Sequence, residues 1–133
     1  MSVQPNQNQR PDGVTLIAIY YFLASLLFLL GTLFMALPTG ILGIVGLTED
    51  AGAFIGMFAL GVIAMAMMAL CLLHLIVGYG LWTMRPWARM AAMALAIVAL
   101  LFAPVGTVVG AVIIWYLIKP DVTALFEARR QAD

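Results

Sequence analysis

Charged side chains are almost absent from the long middle part of this chain, and that constrains its fold more than any other feature. Between Gly13 and Ile118, the formal charges are confined to Glu49, Asp50, Arg85 and Arg89. Apolar residues make up 65% of the chain and charged ones 9%, whereas a soluble globular protein has roughly 25% charged residues. So small a body cannot hide that much apolar surface from water. The composition therefore predicts an integral membrane protein.

The same composition excludes several other classes of protein. A single cysteine does not make a disulfide scaffold, and so apolar a chain does not stay disordered. Six basic residues are balanced by six acidic ones, so the chain lacks the positive charge with which free proteins bind nucleic acid. The expected partner is the lipid bilayer, and nucleic acid is not expected.

The charged residues divide the chain into three apolar blocks, 14–37, 51–84 and 90–118. A helix needs about 20 residues to cross a bilayer. The first two blocks each predict one span. The third block is either one long span or two short ones, joined by a turn at 104–106 that contains a proline and a glycine.

The basic residues distinguish these alternatives, because cytoplasmic loops carry most of the Lys and Arg of a membrane protein. With a turn at 104–106, four crossings place every basic residue on one side: Arg10, Arg85, Arg89, Lys119, Arg129 and Arg130. With one long helix instead, the last three move to the other side and the asymmetry is lost. The pattern therefore predicts an all-α, four-helix membrane bundle with both termini cytoplasmic and helices 3 and 4 in a tight hairpin.

This prediction divides the chain into three parts. A disordered cytoplasmic tail covers 1–12, a four-helix transmembrane domain covers 13–119, and an amphipathic cytoplasmic tail covers 120–133. Pro38 is expected to end helix 1, which leaves 39–47 as a turn of helix or a loop in the outer interface. The expected helices are about 14–36, 51–82, 87–103 and 105–118. We expect the protein in the inner (plasma) membrane.

Small residues indicate how the helices pack, because lipid tails are as apolar as leucine and burial alone does not hold membrane helices together. We expect an alanine stripe on helix 3 to meet a glycine face on helix 4, and helix 2 carries a similar pair. Either packing within one chain or contact between copies would use these residues. The set is Ala92, Ala96, Ala99 and Ala103 on helix 3, Gly106 and Gly110 on helix 4, and Gly52 and Gly56 on helix 2.

Aromatic and basic residues cluster where the predicted spans reach the cytoplasmic side. Tryptophan favours the headgroup level of a membrane, and arginine or lysine can bind lipid phosphate there. After Pro120, the spacing of Val122, Phe126 and Arg129 predicts a short amphipathic helix on the inner surface. The expected interface anchors are Trp82, Arg85, Trp87, Arg89, Trp115, Lys119, Arg129 and Arg130.

His74 is the only histidine and lies inside the second span. A polar group at that depth usually hydrogen-bonds a neighbouring helix, and Tyr21 and Ser25 lie at similar depth in helix 1. A haem ligand is the alternative; one histidine supplies one axial ligand, so a haem would require a second copy or a partner. Cys71 lies three residues before His74, but two ligands do not make a metal site.

Catalytic constellations are missing from the sequence. The apolar blocks hold no carboxylate and no lysine, and Ser25 has no acid–base pair at its depth. We therefore expect no enzyme, no catalytic residue, no cofactor and no metal. The leading hypothesis is a non-enzymatic accessory or structural subunit, or a homo-oligomer, that acts through helix packing. The alternatives are a small oligomeric transporter or channel, and a redox subunit that binds haem or quinone near His74.

Several short motifs resemble a group of small, uncharacterised bacterial and archaeal four-helix membrane proteins. The resemblance covers the start of helix 1 and most of 80–126. It implies the four-span fold and an inner-membrane location, and no activity, cofactor or catalytic residue. The motifs are Arg10-Pro11-Asp12-Gly13-Val14-Thr15, Leu81-Trp82, Arg85-Pro86-Trp87-Ala88-Arg89, Pro104-x-Gly106-Thr107-x-x-Gly110 and Tyr116-Leu117-x-x-Pro120-x-Val122.

Overall fold

A computed structural model describes residues 11–48, 51–101 and 104–132. Every regular element in this part of the chain is a helix, which confirms the predicted all-α class. The helices are α1 (Asp12–Thr48), α2 (Ala51–Trp82), α3 (Pro86–Leu100), α4 (Val105–Ile118) and α5 (Pro120–Ala132). Residues 1–10 of the predicted tail, the acidic pair Glu49 and Asp50, and Ala103 lie outside the described residues.

Two of the described helices are long and apolar enough to cross a membrane: α1 over Asp12–Gly46 and α2 over Gly52–Trp82. Helices α4 and α5, which meet at a 64° bend, make a third candidate span if they are counted together. Helix α3 is apolar but shorter. The prediction that the first two apolar blocks are membrane-crossing helices agrees with these lengths and compositions.

The expected end of helix 1 near Ala36 is wrong, because α1 continues through Pro38 to Thr48. Proline lacks a backbone N–H and so leaves the carbonyl four residues earlier without its helical partner. Apolar surroundings provide no water for a broken helix, and Ser or Thr hydroxyls then help to satisfy the backbone. In α1 the carbonyl left without its partner is that of Phe34, and the Thr39 hydroxyl donates to the next carbonyl, that of Met35, at 2.7 Å.

A tight corner joins α2 to α3. The backbone N–H of Arg85 donates to the Gly80 carbonyl at 2.8 Å, and that of Met84 to the Leu81 carbonyl at 3.1 Å. These two bonds form a Schellman motif, whose left-handed position is usually glycine. Here it is Met84, with a φ of 55°, and its side chain is only 6% exposed. Pro86 then begins α3, as the sequence predicts.

The predicted amphipathic helix after Pro120 is present as α5. A residue before proline is disfavoured in helical conformation, and Lys119 is extended, with a ψ of 133°. The chain therefore bends between α4 and α5. The Lys119 ammonium lies 4.1 Å from the centroid of the Trp115 ring, a cation–π contact at the bend.

The chain divides into two compact units. Unit 1 comprises Met1–Tyr21 and Ile76–Asp133, and unit 2 comprises Phe22–Leu75. Unit 1 contains a buried apolar cluster to which each of the five helices contributes: Val14, Ile17, Ala18, Tyr21, Val77, Leu81, Met84, Ala88, Ala92, Ala96, Ile113, Leu117, Val122 and Phe126.

Candidate functional site

Helices α3 and α4 of unit 1 pack closely through small residues. Ala92 and Ala96 are buried, and a Cβ built on Gly110 would lie 2.5 Å from the Ala96 carbonyl oxygen. The Thr107 hydroxyl donates to the Leu100 carbonyl at 3.0 Å. Residue numbers therefore rise along α3 as they fall along α4, so the two helices are antiparallel. Glycine at 110 allows this approach of the two backbones.

The other predicted packing residues that the structure describes are less buried than Ala92, Ala96 and Gly110. Ala99 and Gly106 are half-buried, and Gly52 is exposed. A Cβ built on Gly56 would make an ordinary contact, 3.5 Å from a methyl group of Leu42.

A hydrogen bond between α1 and α3 was not predicted from the sequence. The Tyr21 hydroxyl donates to the Ala92 carbonyl at 2.9 Å, and the tyrosine side chain is 1% exposed. The acceptor is a backbone atom that every residue carries, so no sequence signal marks it. This bond connects α1 to the alanine stripe of α3.

In unit 2, α1 and α2 are antiparallel and meet at glycines of α1. A Cβ on Gly31 would lie 2.8 Å from the Met67 methyl group, and one on Gly46 would lie 3.0 Å from the Phe54 backbone nitrogen. This contact was not predicted from the sequence, because helix 1 was expected to end before Gly46. The spacing of these glycines along a continuous helix would have indicated the contact.

His74 lies in unit 2 and is half-buried. Its Nδ1–H donates to the Leu70 carbonyl of its own helix at 2.8 Å, because a carbonyl oxygen can only accept. The ring centroid lies 5.1 Å from that of Phe28. The Ser25 hydroxyl donates to the Phe22 carbonyl of its own helix, and the pairing of His74 with Tyr21 or Ser25 stays a prediction.

The predicted interface anchors lie in unit 1, around the ends of α2 to α5. The tryptophans at 82, 87 and 115 are exposed, as are the arginines at 85, 129 and 130, while Lys119 is half-buried. Arg89 differs from the other arginines. Its Nε–H donates to the Leu117 carbonyl at 3.0 Å and so connects the start of α3 to the last turn of α4.

Two pockets lie beside the α2–α3 corner, each with an arginine from the last turn of α5. The Arg129 pocket has a volume of about 330 Å³ and is lined by Thr83, Met84, Arg85 and Arg129. The Arg130 pocket has a volume of about 260 Å³ and is lined by Pro86, Trp87, Arg89, Met90, Phe126, Glu127 and Arg130. Consecutive residues of a helix point about 100° apart, so adjacent arginines of α5 line different pockets.

Within the described ranges, no group of three or more His, Cys, Asp or Glu side chains could hold a metal ion. Cys71 is buried as a free thiol. No protein-family model, no curated protein and no solved structure matches this chain. The arguments about function therefore depend on its own residues.

Proposed function

We propose that this protein is a non-enzymatic, multi-pass protein of the inner (plasma) membrane. In this proposal α1 to α4 each cross or enter the bilayer, α3 and α4 form a hairpin, and both termini are cytoplasmic. The protein acts through helix packing, either with copies of itself or as an accessory or structural subunit of a larger membrane complex.

The contact between Arg89 and Leu117 supports this topology. It brings the start of α3 and the end of α4 to the same end of that pair. Arg85 and Arg89 are then on the same side as Lys119, which is the distribution that the positive-inside rule favours.

The observation that carries the proposal is the length of α1. The uncharged run 14–47 of α1 is about 51 Å long at 1.5 Å per residue, and the hydrocarbon core of a bilayer is about 30 Å thick. Even at a tilt of 40°, this run covers about 39 Å along the membrane normal. Part of its apolar surface therefore extends beyond the hydrocarbon core, where a protein partner would cover it.

The outward faces of unit 2 offer such a partner a surface. Phe34, Phe58 and Met65 are each more than 65% exposed. A Cβ built on Gly40 or Gly61 meets no other described atom within 4 Å beyond its own helix neighbourhood. In unit 2 the glycines at 31, 43 and 46 contact the other helix, so these two remain open to an added helix.

Native mass spectrometry in mild detergent tests this function. We expect an oligomer or a co-purifying membrane protein, and we expect Gly61→Leu to weaken that association about tenfold or more by blocking close approach. Ala94→Leu, which adds similar bulk at an exposed position of α3 in unit 1 and away from this surface, is the matched control. A strictly monomeric protein without a partner contradicts the proposal.

Two further measurements distinguish the alternatives. Ion or lipophilic-cation flux in proteoliposomes would replace the proposal with a transporter or channel, and a Soret band in the purified protein would replace it with a haem subunit. Accessibility of tags on both termini in intact cells tests the topology separately. Termini on opposite sides of the membrane would contradict the four-span arrangement.

A further inference from the structure

We propose that the Arg129 pocket binds the phosphate group of an anionic membrane lipid. The pocket is polar, and two of its four lining side chains are guanidinium groups, those of Arg85 and Arg129. Arginine presents a planar set of N–H donors that matches the oxygens of a phosphate. A volume of about 330 Å³ accommodates a phosphodiester with part of its headgroup.

Backbone hydrogen bonds of the α2–α3 corner hold Arg85 in place. Arg85 directly follows the left-handed residue of the Schellman motif, and its N–H is bonded to the Gly80 carbonyl at 2.8 Å. Its φ of −70° and ψ of 132° make it the N-cap of α3, without a side-chain cap. The guanidinium of Arg85 therefore extends from a backbone position that two hydrogen bonds of the corner define.

Burial of one face of α5 holds Arg129. Val122 and Phe126 are 4% and 2% exposed and lie one turn apart on the same face. Arg129 follows Phe126 by three residues, so it continues the buried face toward the α2–α3 corner. The pocket is thus assembled from two segments that are 44 positions apart in the sequence.

The charges around the two pockets differ, which favours one of them for an anion. The Arg130 pocket includes the carboxylate of Glu127 and the half-buried Arg89, whose Nε–H is already bonded to a carbonyl. Among the residues that the structure describes, none that lines the Arg129 pocket is acidic. Its threonine hydroxyl donates to the Tyr79 carbonyl at 3.0 Å and can still accept a bond.

The position of the pocket favours a lipid over a free phosphate ion. It lies at the end of α2, the most apolar candidate span, directly after the exposed Trp82. Exposed tryptophan at the end of a span is typical of the headgroup level of a membrane. A bound lipid would therefore have its phosphate at the arginines and its acyl chains along the apolar helices.

Competition in detergent micelles tests the proposal. The full-length protein is incubated with equal amounts of phosphatidylglycerol and phosphatidylcholine, and bound lipids are counted by native mass spectrometry. We expect phosphatidylglycerol to be retained preferentially. Arg85→Gln and Arg129→Gln each should lower its binding about tenfold, as expected for loss of one charge-assisted hydrogen bond to phosphate.

Arg130→Gln is the matched control, since it removes the same charge from the adjacent residue and leaves the Arg129 pocket intact. Its effect should stay within about twofold. Arg129→Lys retains the charge but loses the planar donor set, so an intermediate loss is expected. Helix content by circular dichroism verifies that each variant is folded.

Three results would overturn the proposal. Equal losses for Arg129→Gln and Arg130→Gln would mean that a diffuse positive field attracts the lipid. Equal retention of the two lipids would remove the anion preference. Displacement of phosphatidylglycerol by millimolar inorganic phosphate would assign the pocket to free phosphate.

Discussion

Units 1 and 2 of this protein are stabilised in different ways. In unit 1, side chains bond the backbone of other helices, as Tyr21 does with Ala92 and Arg89 with Leu117. In unit 2, the hydroxyls of Ser25, Thr32 and Thr39 bond carbonyls three or four residues earlier in their own helix. Polar bonds therefore position helices in unit 1, whereas in unit 2 close approaches between α1 and α2 are made at glycines.

The difference has a physical consequence for each unit. Lipid removes the hydrophobic driving force between helices, so close contacts made at glycines depend on dispersion and can repack at modest cost. A unit whose helices are connected by hydrogen bonds has a defined geometry. Unit 1 is thus suited to hold a positioned group of arginines, and unit 2 is suited to exchange lipid contacts for a partner.

The largest expected effect comes from Phe126→Ala in unit 1. This ring is 2% exposed, so its removal should lower the free energy of unfolding by about 3–5 kcal/mol. Reversible unfolding in SDS mixed micelles measures the change. Phe58→Ala in unit 2 is the same substitution at a side chain that is 68% exposed and should cost below about 1 kcal/mol. Equal costs would show that the two units do not differ in burial.

Gly110→Ala should have the next largest effect. The added methyl group would lie 2.5 Å from the Ala96 carbonyl oxygen, so α3 and α4 must move apart at a cost of about 1–3 kcal/mol. Gly61→Ala places the same methyl in open space and should change stability by less than about 0.5 kcal/mol. The same SDS titration compares them. A neutral Gly110→Ala would mean that the α3–α4 contact is loose.

Tyr21→Phe removes only the hydroxyl that connects α1 to α3. Hydrogen bonds between membrane helices average about 0.6 kcal/mol and reach about 1.7, so a loss in that range is expected. Tyr20→Phe, at the exposed neighbouring position, is the control. If both variants unfold at the same SDS fraction as the wild type, this bond does not stabilise unit 1.

The smallest effect is expected for Thr32→Val in unit 2. The valine keeps the shape of the side chain and removes the bond to the Phe28 carbonyl, which lies in the same helix. A bond of this type slightly destabilises a helix, so the variant should be neutral or slightly more stable, within about 0.5 kcal/mol. Destabilisation by more than about 1 kcal/mol would indicate that Thr32 also positions α1 against another helix.

Features that depend on local chemistry were well predicted from the sequence. The start of α3 at Pro86 and the helical spacing of Val122 and Phe126 agree with the structure. The prediction that helix 1 ends before Pro38 was wrong. In water a proline usually ends a helix because the freed backbone groups can bond water, whereas apolar surroundings favour continuing the helix. Because 39–47 was not predicted as part of helix 1, the contact of Gly46 with α2 was not predicted either.

The distribution of charge and apolar residues was sufficient to establish a helical membrane protein, because the cost of exposing a backbone or a charge to lipid is large and independent of the neighbours. Which residues contact each other was decided only by the tertiary structure. Tyr21 bonds Ala92 and Arg129 lies beside Arg85 only because distant segments pack together. A single sequence contains no trace of such contacts when one partner is a backbone carbonyl or an exposed arginine with many possible neighbours.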